Sequence, residues 1–519
     1  MINVGKALTQ CAQRFIDKTA VIFGQEKLSF KQINLMANRV GNKLKQLGIK
    51  RGDRIAIILP NSSSFVIAYF AILKLGAVCV PLDIRFKGEE LCGVIEDGQI
   101  KAFIISSGLN EYCTPFFKKL RYSITTVVVG SGSNGRQEEN ITFEEIVGDE
   151  RLSEDVMVEV SADEEALYLY TSGTTGRPKG IVLTFNNLRL FPETLAELYG
   201  TNDSEVIGCV LPMSHISGPI LCNELVDKGC SLVIFDQRRP DKILATVEKH
   251  KVTWFHAVPP IFQAILRVPN LNKYELSSLR FIGMMGTSVP LELLKNFKKV
   301  FPSVAVIQGY GLTETSPFIT LLPLEYDQKK MGSIGRAVPH AEIQLVDGKG
   351  EQVPSGEVGE LIVKGPMVMK EYHNNSEATR ERIKDGWLYT GDLCKKDQDG
   401  FYYHLGRRDD IIIVGGLNVF PSEVESILIA HPQVLEAGAV GIPDAERGEI
   451  IKAVVVLKPG SHLTKKDVIS YCRGRLASYK VPKIVEFWDS IPKTSTGKIA
   501  RRLLVNFQQK PHYKILTTG

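Results

Sequence analysis

Long hydrophobic runs are scarce in this 519-residue chain. The most apolar stretch, FVIAYFAILKLGAVCVPL from Phe65 to Leu82, is interrupted by Lys74 and Gly76. Each remaining piece is too short to span a bilayer. The opening residues, MINVGKALTQCAQRF, have neither an apolar core nor a small-residue cleavage site, so no secretory leader is expected. Charge of one sign is also lacking. Lys plus Arg number 63 against 58 for Asp plus Glu, a net charge of +5. That excludes the broad basic field that nucleic-acid binding needs, while a few placed lysines can still bind a phosphate. The nine cysteines include no CxxC pair, which removes zinc-ribbon and thioredoxin readings. Most stand in apolar contexts, such as Cys79 in AVCVP, and read as reduced core residues. These absences together predict a soluble, cytoplasmic protein.

What is present is ordinary globular composition, 44% hydrophobic and 23% charged. The length allows about three domains. From Phe30, the apolar positions Ile33, Met36, Ala37, Val40, Leu44 and Leu47 follow a helical period that Gly48 ends. RIAIIL (54–59) then reads as a buried strand, Phe65 to Leu75 as a helix and AVCVPL as a strand, the order of a right-handed parallel crossover. The alternation recurs through ALYLYT, CSLVIF and VTWFHAV, each followed by a helical pattern, and predicts an α/β body with mainly parallel sheets. Between 331 and 407 the texture changes to short strands punctuated by Asp347-Gly348, Asp385-Gly386 and Asp399-Gly400, a β-rich subdomain. The expected division is a large domain over 1–407 and a small α+β domain over 408–519.

Two glycine-rich stretches invite a phosphate reading. Gly130-Ser-Gly-Ser-Asn-Gly135 matches GxGxxG after a strand-like ITTVVV, but RQEENITFEEI behind it supplies no apolar helical stripe. A dinucleotide site needs a helix opening on those glycines, so a surface loop is the better reading. The second is Tyr170-Thr171-Ser172-Gly173-Thr174-Thr175-Gly176-Arg177-Pro178-Lys179-Gly180. Its glycines let backbone N–H groups turn inward, its hydroxyls add donors and Lys179 adds a point charge, which together make a nest for a polyphosphate. The spacing is not that of a Walker A loop.

This loop resembles the signature of the adenylate-forming superfamily: acyl-CoA synthetases, aryl-CoA ligases, luciferase and peptide-synthetase adenylation domains. The resemblance continues in order through LPMSHISG (211–218), QGYGLTET (308–315), GELIVKGP (359–366), GWLYTGDL (386–393), GRRDDIIIVGGLNVFPSEVE (406–425) and PKTSTGKIAR (492–501), nearly the whole chain. It implies an ATP- and Mg²⁺-dependent enzyme that joins a carboxylic acid to AMP, releases pyrophosphate and passes the acyl group to CoA. Residues 171–179 would hold the β- and γ-phosphates. Glu314, with Thr171, would ligate Mg²⁺, and Thr313 would contact the α-phosphate. Tyr310, between Gly309 and Gly311, would stack on adenine with its hydroxyl left for a polar contact. Asp392 would accept from both ribose hydroxyls, and Arg407 would meet ribose or phosphate. Lys498 would bridge the acid carboxylate and the AMP oxygen. It lies in the small domain, so the family's rotation between two half-reactions is expected, with Asp409 as hinge and Gly416 lining the pantetheine tunnel.

The acid is read from the remaining positions. His215 would sit between nucleotide and acid. Amino-acid-activating relatives often place Asp next, whereas this chain has Ile216, and a buried ammonium without an anion is costly. Val258, Phe262, Met284, Met285, Gly309, Gly311 and Phe318 complete an apolar pocket in which the glycines are expected to leave room. Met284 and Met285 replace the small residues of many relatives and would shorten the pocket or adapt to a chain. A medium- or long-chain fatty acid is the first expectation. An aryl or other specialised acid, or a carrier protein in place of CoA, stays open, as does monomer against homodimer. A non-catalytic nucleotide-binding relic is disfavoured because Lys498, Glu314 and Asp392 are all present.

Overall fold

The computed structural model describes residues 3–505, apart from 87, 118, 119, 121, 131–140, 172–177, 238 and 494–497. Two sheets form the body. One has seven strands in the order Ala305–Ile307, Phe281–Met284, Trp254–Ala257, Val206–Cys209, Ser231–Ile234, Thr19–Phe23 and Glu26–Ser29. All its pairings are parallel except the last hairpin. The other has eight strands, running from Glu371–Tyr372 through Lys179–Thr184, Glu165–Thr171, Val78–Pro81, Arg54–Ile58, Ala102–Ser106 and Thr125–Val129 to Ile141–Thr142. Its body is parallel, as the strand–helix alternation predicts, but Glu165–Thr171 and Lys179–Thr184 pair antiparallel. A loop as short as the one between them can join only antiparallel neighbours.

The helices follow the sequence pattern closely. Phe30–Gln46 starts at Ser29, whose side chain accepts from the Gln32 N–H while the Gln32 side chain caps Ser29 in return. Its apolar face, Ile33, Ala37, Val40 and Leu44, is fully buried. Ser63–Lys74 is buried all round, as its uniform apolarity requires, and even Lys74 is 1% exposed. Its ammonium donates to Thr9 Oγ1 at 2.7 Å and Asn38 Oδ1 at 2.8 Å, and lies 3.0 Å from Asp155. Buried charges persist only with such partners. The stretch that looks most lipid-like is therefore the centre of a core helix. Among the described residues no helix is long and apolar enough to cross a membrane.

The β-rich stretch forms an antiparallel five-stranded sheet of Glu342–Val346, Val358–Lys364, Ile383–Lys384, Trp387–Lys396 and Tyr402–Arg407. A second five-stranded sheet, with strands from Ile412–Val414 to Ile484–Phe487, carries its own apolar cluster around Val424, Leu428, Ala453 and Val455. The chain is thus an α/β protein with a large N-terminal and a small C-terminal domain. Of the nine cysteines, all but Cys92 are buried. The GxGxxG reading falls on residues of which 131–135 lie outside the described ones.

Candidate active site

The strand Trp387–Lys396 pairs with Tyr402–Arg407 so that Asp392 stands opposite Arg407. Asp392 is 3% exposed and is the hub of the site. Its Oδ1 meets His404 Nε2 at 3.0 Å and Arg407 Nε at 3.2 Å, and its Oδ2 accepts from the Tyr310 hydroxyl at 2.6 Å. Burial alone would raise the Asp392 pKa, but His404, Arg407 and Tyr310 outweigh it and hold the carboxyl below its usual range. The Tyr310 ring stacks on His404, with centroids 5.5 Å apart and planes 25° off parallel. The polar contact for which the Tyr310 hydroxyl was expected is the hydrogen bond it donates to Asp392. Sequence reasoning missed His404, although its place in FYYHLGRR, two residues before the glycine and arginine of a recognised motif, was a usable signal.

Glu314 lies on the short turn Thr313–Thr315, and its backbone carbonyl accepts from the Met369 N–H at 2.8 Å. Its Oε1 accepts from the Tyr372 hydroxyl at 2.9 Å. Lys179 places its ammonium 5.4 Å from the centre of the same Tyr372 ring. Tyr372, on the edge strand Glu371–Tyr372, thus joins Lys179 to Glu314, and it too was missed. Strand register sets Thr171 directly opposite Lys179. Ser172, Gly173, Thr174, Thr175 and Gly176 lie outside the described residues. Among the described residues no three His, Cys, Asp or Glu side chains cluster as a metal cage. Glu314 and Thr171 nevertheless offer the hard oxygens that Mg²⁺ takes when phosphates and water supply the rest.

Lys498 remains open to solvent, yet protein crowds it densely. That desolvation, and then Arg407, lower its pKa, against the raising fields of Asp392 and Glu314. The small-domain lysine therefore stands in the same electrostatic environment as three residues of the large domain. Asp409, 82% exposed, has one carboxylate oxygen 3.7 Å from Nε of its neighbour Arg408. Arg408 in turn ties to Glu360 at 2.8 Å, whose other oxygen accepts from the Gly391 N–H beside Asp392. Gly415 and Gly416, at φ +60° and +80°, form the two-residue turn between Val414 and Leu417, and a Cβ on Gly416 would point into open space.

His215 follows the strand Val206–Cys209, and its Nε2 lies 3.6 Å from Asp83 Oδ2, just past the end of Val78–Pro81 in the other sheet. Burial raises Asp83, but hydrogen bonds from the Arg85 guanidinium and the Arg85 backbone N–H prevail and keep it ionised. Ile216, Val258, Met285 and Phe318 are all half-buried around this end of the sheets. Met285 donates its N–H to Ala257 O at 3.2 Å, which seats it beside Val258.

Three expectations for the acid pocket need correction. Met284 and Phe262 are 0% exposed and belong to the packed layer between the seven-stranded sheet and its outer helices. Phe262 stacks on Phe255 there at 5.6 Å. Alternation along the strand Phe281–Met284 sends Met284 to that outer face. Gly309 and Gly311 do not leave room for a ligand. A Cβ at Gly311 would stand 1.6 Å from the Pro317 carbonyl oxygen, and one at Gly309 would stand 2.6 Å from Leu321 Cδ2. The hairpin 309–321 needs glycine at these places because its second strand closes on them.

The comparisons follow this geometry. The AMP-binding enzyme profile matches residues 8–373, and the AMP-binding enzyme C-terminal domain matches 423–498. The long-chain-fatty-acid–CoA ligase of Bacillus subtilis is 34% identical, over 98% of this chain and 94% of its own length. The crystal structure of an anthranilate CoA ligase in complex with anthranoyl-AMP superimposes with a TM-score of 0.89 at 30% identity, covering 97% of this chain and 96% of that one. The Bacillus subtilis O-succinylbenzoate coenzyme A synthetase, in complex with ATP and magnesium ion, gives 0.83 at 31% identity, covering 96% and 98%. With both profiles matched in order on the two domains that carry the site, the chain belongs to the AMP-binding enzyme family.

Proposed function

We propose that this AMP-forming acid–thiol ligase converts a carboxylic acid, ATP and CoA into an acyl-CoA, AMP and pyrophosphate, with a medium- or long-chain fatty acid as the acid. The observation that supports the reading is that Lys498 of the small domain lies within the electrostatic field of Arg407, Asp392 and Glu314 of the large one.

A carboxylate is a poor acyl electrophile, and its approach to a polyphosphate is opposed by charge. Cations and oriented donors must carry the first step. Lys179 and the loop from Thr171 hold the β- and γ-phosphates, and Thr313 contacts the α-phosphate. Arg407 and Lys498 face the atoms between which the new bond forms, where negative charge gathers as the acid oxygen reaches phosphorus and pyrophosphate leaves. Asp392 orients the ribose. With His404, Arg407 and Tyr310 already on its oxygens, it enters the reaction rigid and ionised. Tyr372 fixes Glu314, which with Thr171 would hold Mg²⁺. That ion supplies charge neutralisation across the phosphates. His215, oriented toward Asp83, borders the acid. Rotation at Asp409 then withdraws Lys498 and brings the Gly415-Gly416 turn in for thiol attack on the acyl-AMP.

Ile216 and the apolar surroundings of Val258 and Phe318 support an uncharged acid body. The closure of Gly309 and Gly311, and the loss of Phe262 and Met284 from the lining, favour a shorter pocket and a second reading, an aryl acid. Acid-dependent ATP–pyrophosphate exchange across acids graded by length and aromaticity, followed by addition of CoA, tests both. Exchange with thioester formation is expected. Exchange without thioester would move the acceptor to a carrier protein, and no exchange with any acid would overturn the ligase reading.

A further inference from the structure

Four neighbouring strands of the seven-stranded sheet end at the site: Val206–Cys209, Trp254–Ala257, Phe281–Met284 and Ala305–Ile307. The residues that follow them are His215 and Ile216, Val258, Met285, and Gly309. Ligands of parallel α/β sheets bind beyond such carboxyl ends. One step beneath, register places Cys209, His256, Gly283 and Ile307 in a single row across the four strands. This row is the floor on which an acid beyond His215 would rest.

Cys209 and Ile307 at the ends of the row are buried in the large core cluster. The missing side chain at Gly283 leaves a notch, and the end of Met285 fills it. A Cβ at Gly283 would lie 2.5 Å from Met285 Cε and 2.9 Å from His256 Cβ. A methionine has three rotatable bonds and no branch, so this plug can swing aside at little cost.

His256 is 7% exposed, and its ring has no hydrogen-bond partner among the described residues. Two residues earlier on the same strand face, Trp254 stacks 6.4 Å away, and its indole Nε1 is buried without an acceptor. Buried polar groups nearly always have partners, so the orphaned Trp254 N–H beside the unpartnered His256 ring points to a ligand that supplies them. Burial pushes the His256 pKa down to about 4, which leaves a neutral ring at neutral pH. The row contains no lysine or arginine, and a second carboxylate would be buried against it unpaired.

We propose that Met285 and His256 form the far end of the acid pocket, Met285 setting the length of acid accepted and His256 binding an uncharged hydroxyl or oxo substituent on its tail. This rests on the ligase reading above. A dicarboxylate is excluded, and an unsubstituted acid is taken less well than its hydroxylated counterpart.

The test is pyrophosphate exchange by the full chain with straight-chain acids of graded length, matched acids with and without a tail hydroxyl, and dicarboxylates. Met285→Ala is expected to raise the ratio of kcat/KM for the longest over the shortest acid at least about tenfold. Met285→Leu, which keeps the volume, leaves that ratio within about threefold. His256→Phe is expected to lower the hydroxylated-to-parent ratio about tenfold with KM for ATP unmoved, and His256→Gln to restore part of it. Thermal melts establish that each variant is folded. Exchange with the length ratio unmoved in Met285→Ala overturns the role of Met285, and an unmoved hydroxyl ratio in His256→Phe overturns that of His256, with the ligase reading intact in both cases. Absence of exchange with every acid overturns that reading and this inference together.

Discussion

The hydroxyl of Tyr310 donates to Asp392 Oδ2 at 2.6 Å across 82 residues of sequence, while His404 holds the other carboxylate oxygen at 3.0 Å and stacks on the same tyrosine ring. Three residues from two sheets thus form a closed triangle whose corner is the proposed ribose-binding carboxylate. His404→Ala leaves Asp392 with fewer donors and Tyr310 without its stacking partner. The expected result is a rise of about tenfold in KM for ATP, with a smaller change in kcat, measured by pyrophosphate exchange. An unchanged KM would mean that ribose binding does not depend on this arrangement.

Lys498 offers a separation of half-reactions. Lys498→Ala should slow acyl-AMP formation by a factor of about 10² or more, while acyl-AMP supplied ready-made still reacts with CoA. Equal loss in both halves would sink the alternation argument. Because desolvation and Arg407 lower the Lys498 pKa, its charge is lost as pH rises through a value below that of an ordinary lysine. The adenylation rate should therefore fall on the alkaline side. Lys498→Arg, slower throughout, should lack that fall, since a guanidinium stays charged.

Tyr372→Phe removes the donor that fixes Glu314 and leaves the ring over which Lys179 sits. The Mg²⁺ concentration giving half-maximal exchange should increase roughly tenfold, as it does when second partners of metal ligands are lost. The melting temperature should barely move. A large fall in stability with no change in Mg²⁺ dependence would assign Tyr372 to packing alone.

Glu224 provides a pH-dependent stability test remote from the chemistry. It is 0% exposed, and burial raises its pKa to about 8, with the neighbouring Thr201 hydroxyl offsetting only part of the rise. In the unfolded chain the group titrates near 4.5. Between these values the folded state binds more protons than the unfolded one, so stability falls as pH rises from about 4.5 to about 8 and levels off above. Glu224→Gln should therefore stabilise the protein most at pH 8 and above, by a few kcal/mol at most, and little near pH 4.5. Melting curves at the two ends check it, and an equal gain at both would count against the buried-acid account.

Gly311→Ala should fail for a steric reason. Its Cβ would stand 1.6 Å from the Pro317 carbonyl oxygen, which belongs to backbone and cannot turn away. A loss of about 3 kcal/mol or more is expected, seen as insolubility or a much lower melting temperature. A normal melt would show that the hairpin 309–321 is looser than its geometry indicates.

Much of the fold was legible because it is written in local periods. Ile33, Ala37, Val40 and Leu44 mark a helix whichever partner covers them, and Asp399-Gly400 marks a turn that the strands on either side then use. The antiparallel closure of Glu165–Thr171 onto Lys179–Thr184 was not read, although a short loop between two strands permits little else. The acid pocket was read least well. Met284 and Met285 are adjacent in sequence, but strand alternation sends one into the outer helix layer and leaves the other at the site.

The sequence by itself determined the family, the order of elements and the nucleotide motifs, since each of these depends on residues close together along the chain. Only the tertiary structure decided that Asp392 is already held by Tyr310, His404 and Arg407, and that Glu314 answers to Tyr372. It alone showed that the glycines at 309 and 311 accommodate Leu321 and the Pro317 carbonyl, and that Lys498 lies within the field of Arg407, Asp392 and Glu314. These relations join strands and loops far apart in sequence. They arise from how sheets pack and cross, where close approach and shared burial choose the partners and no local pattern names them.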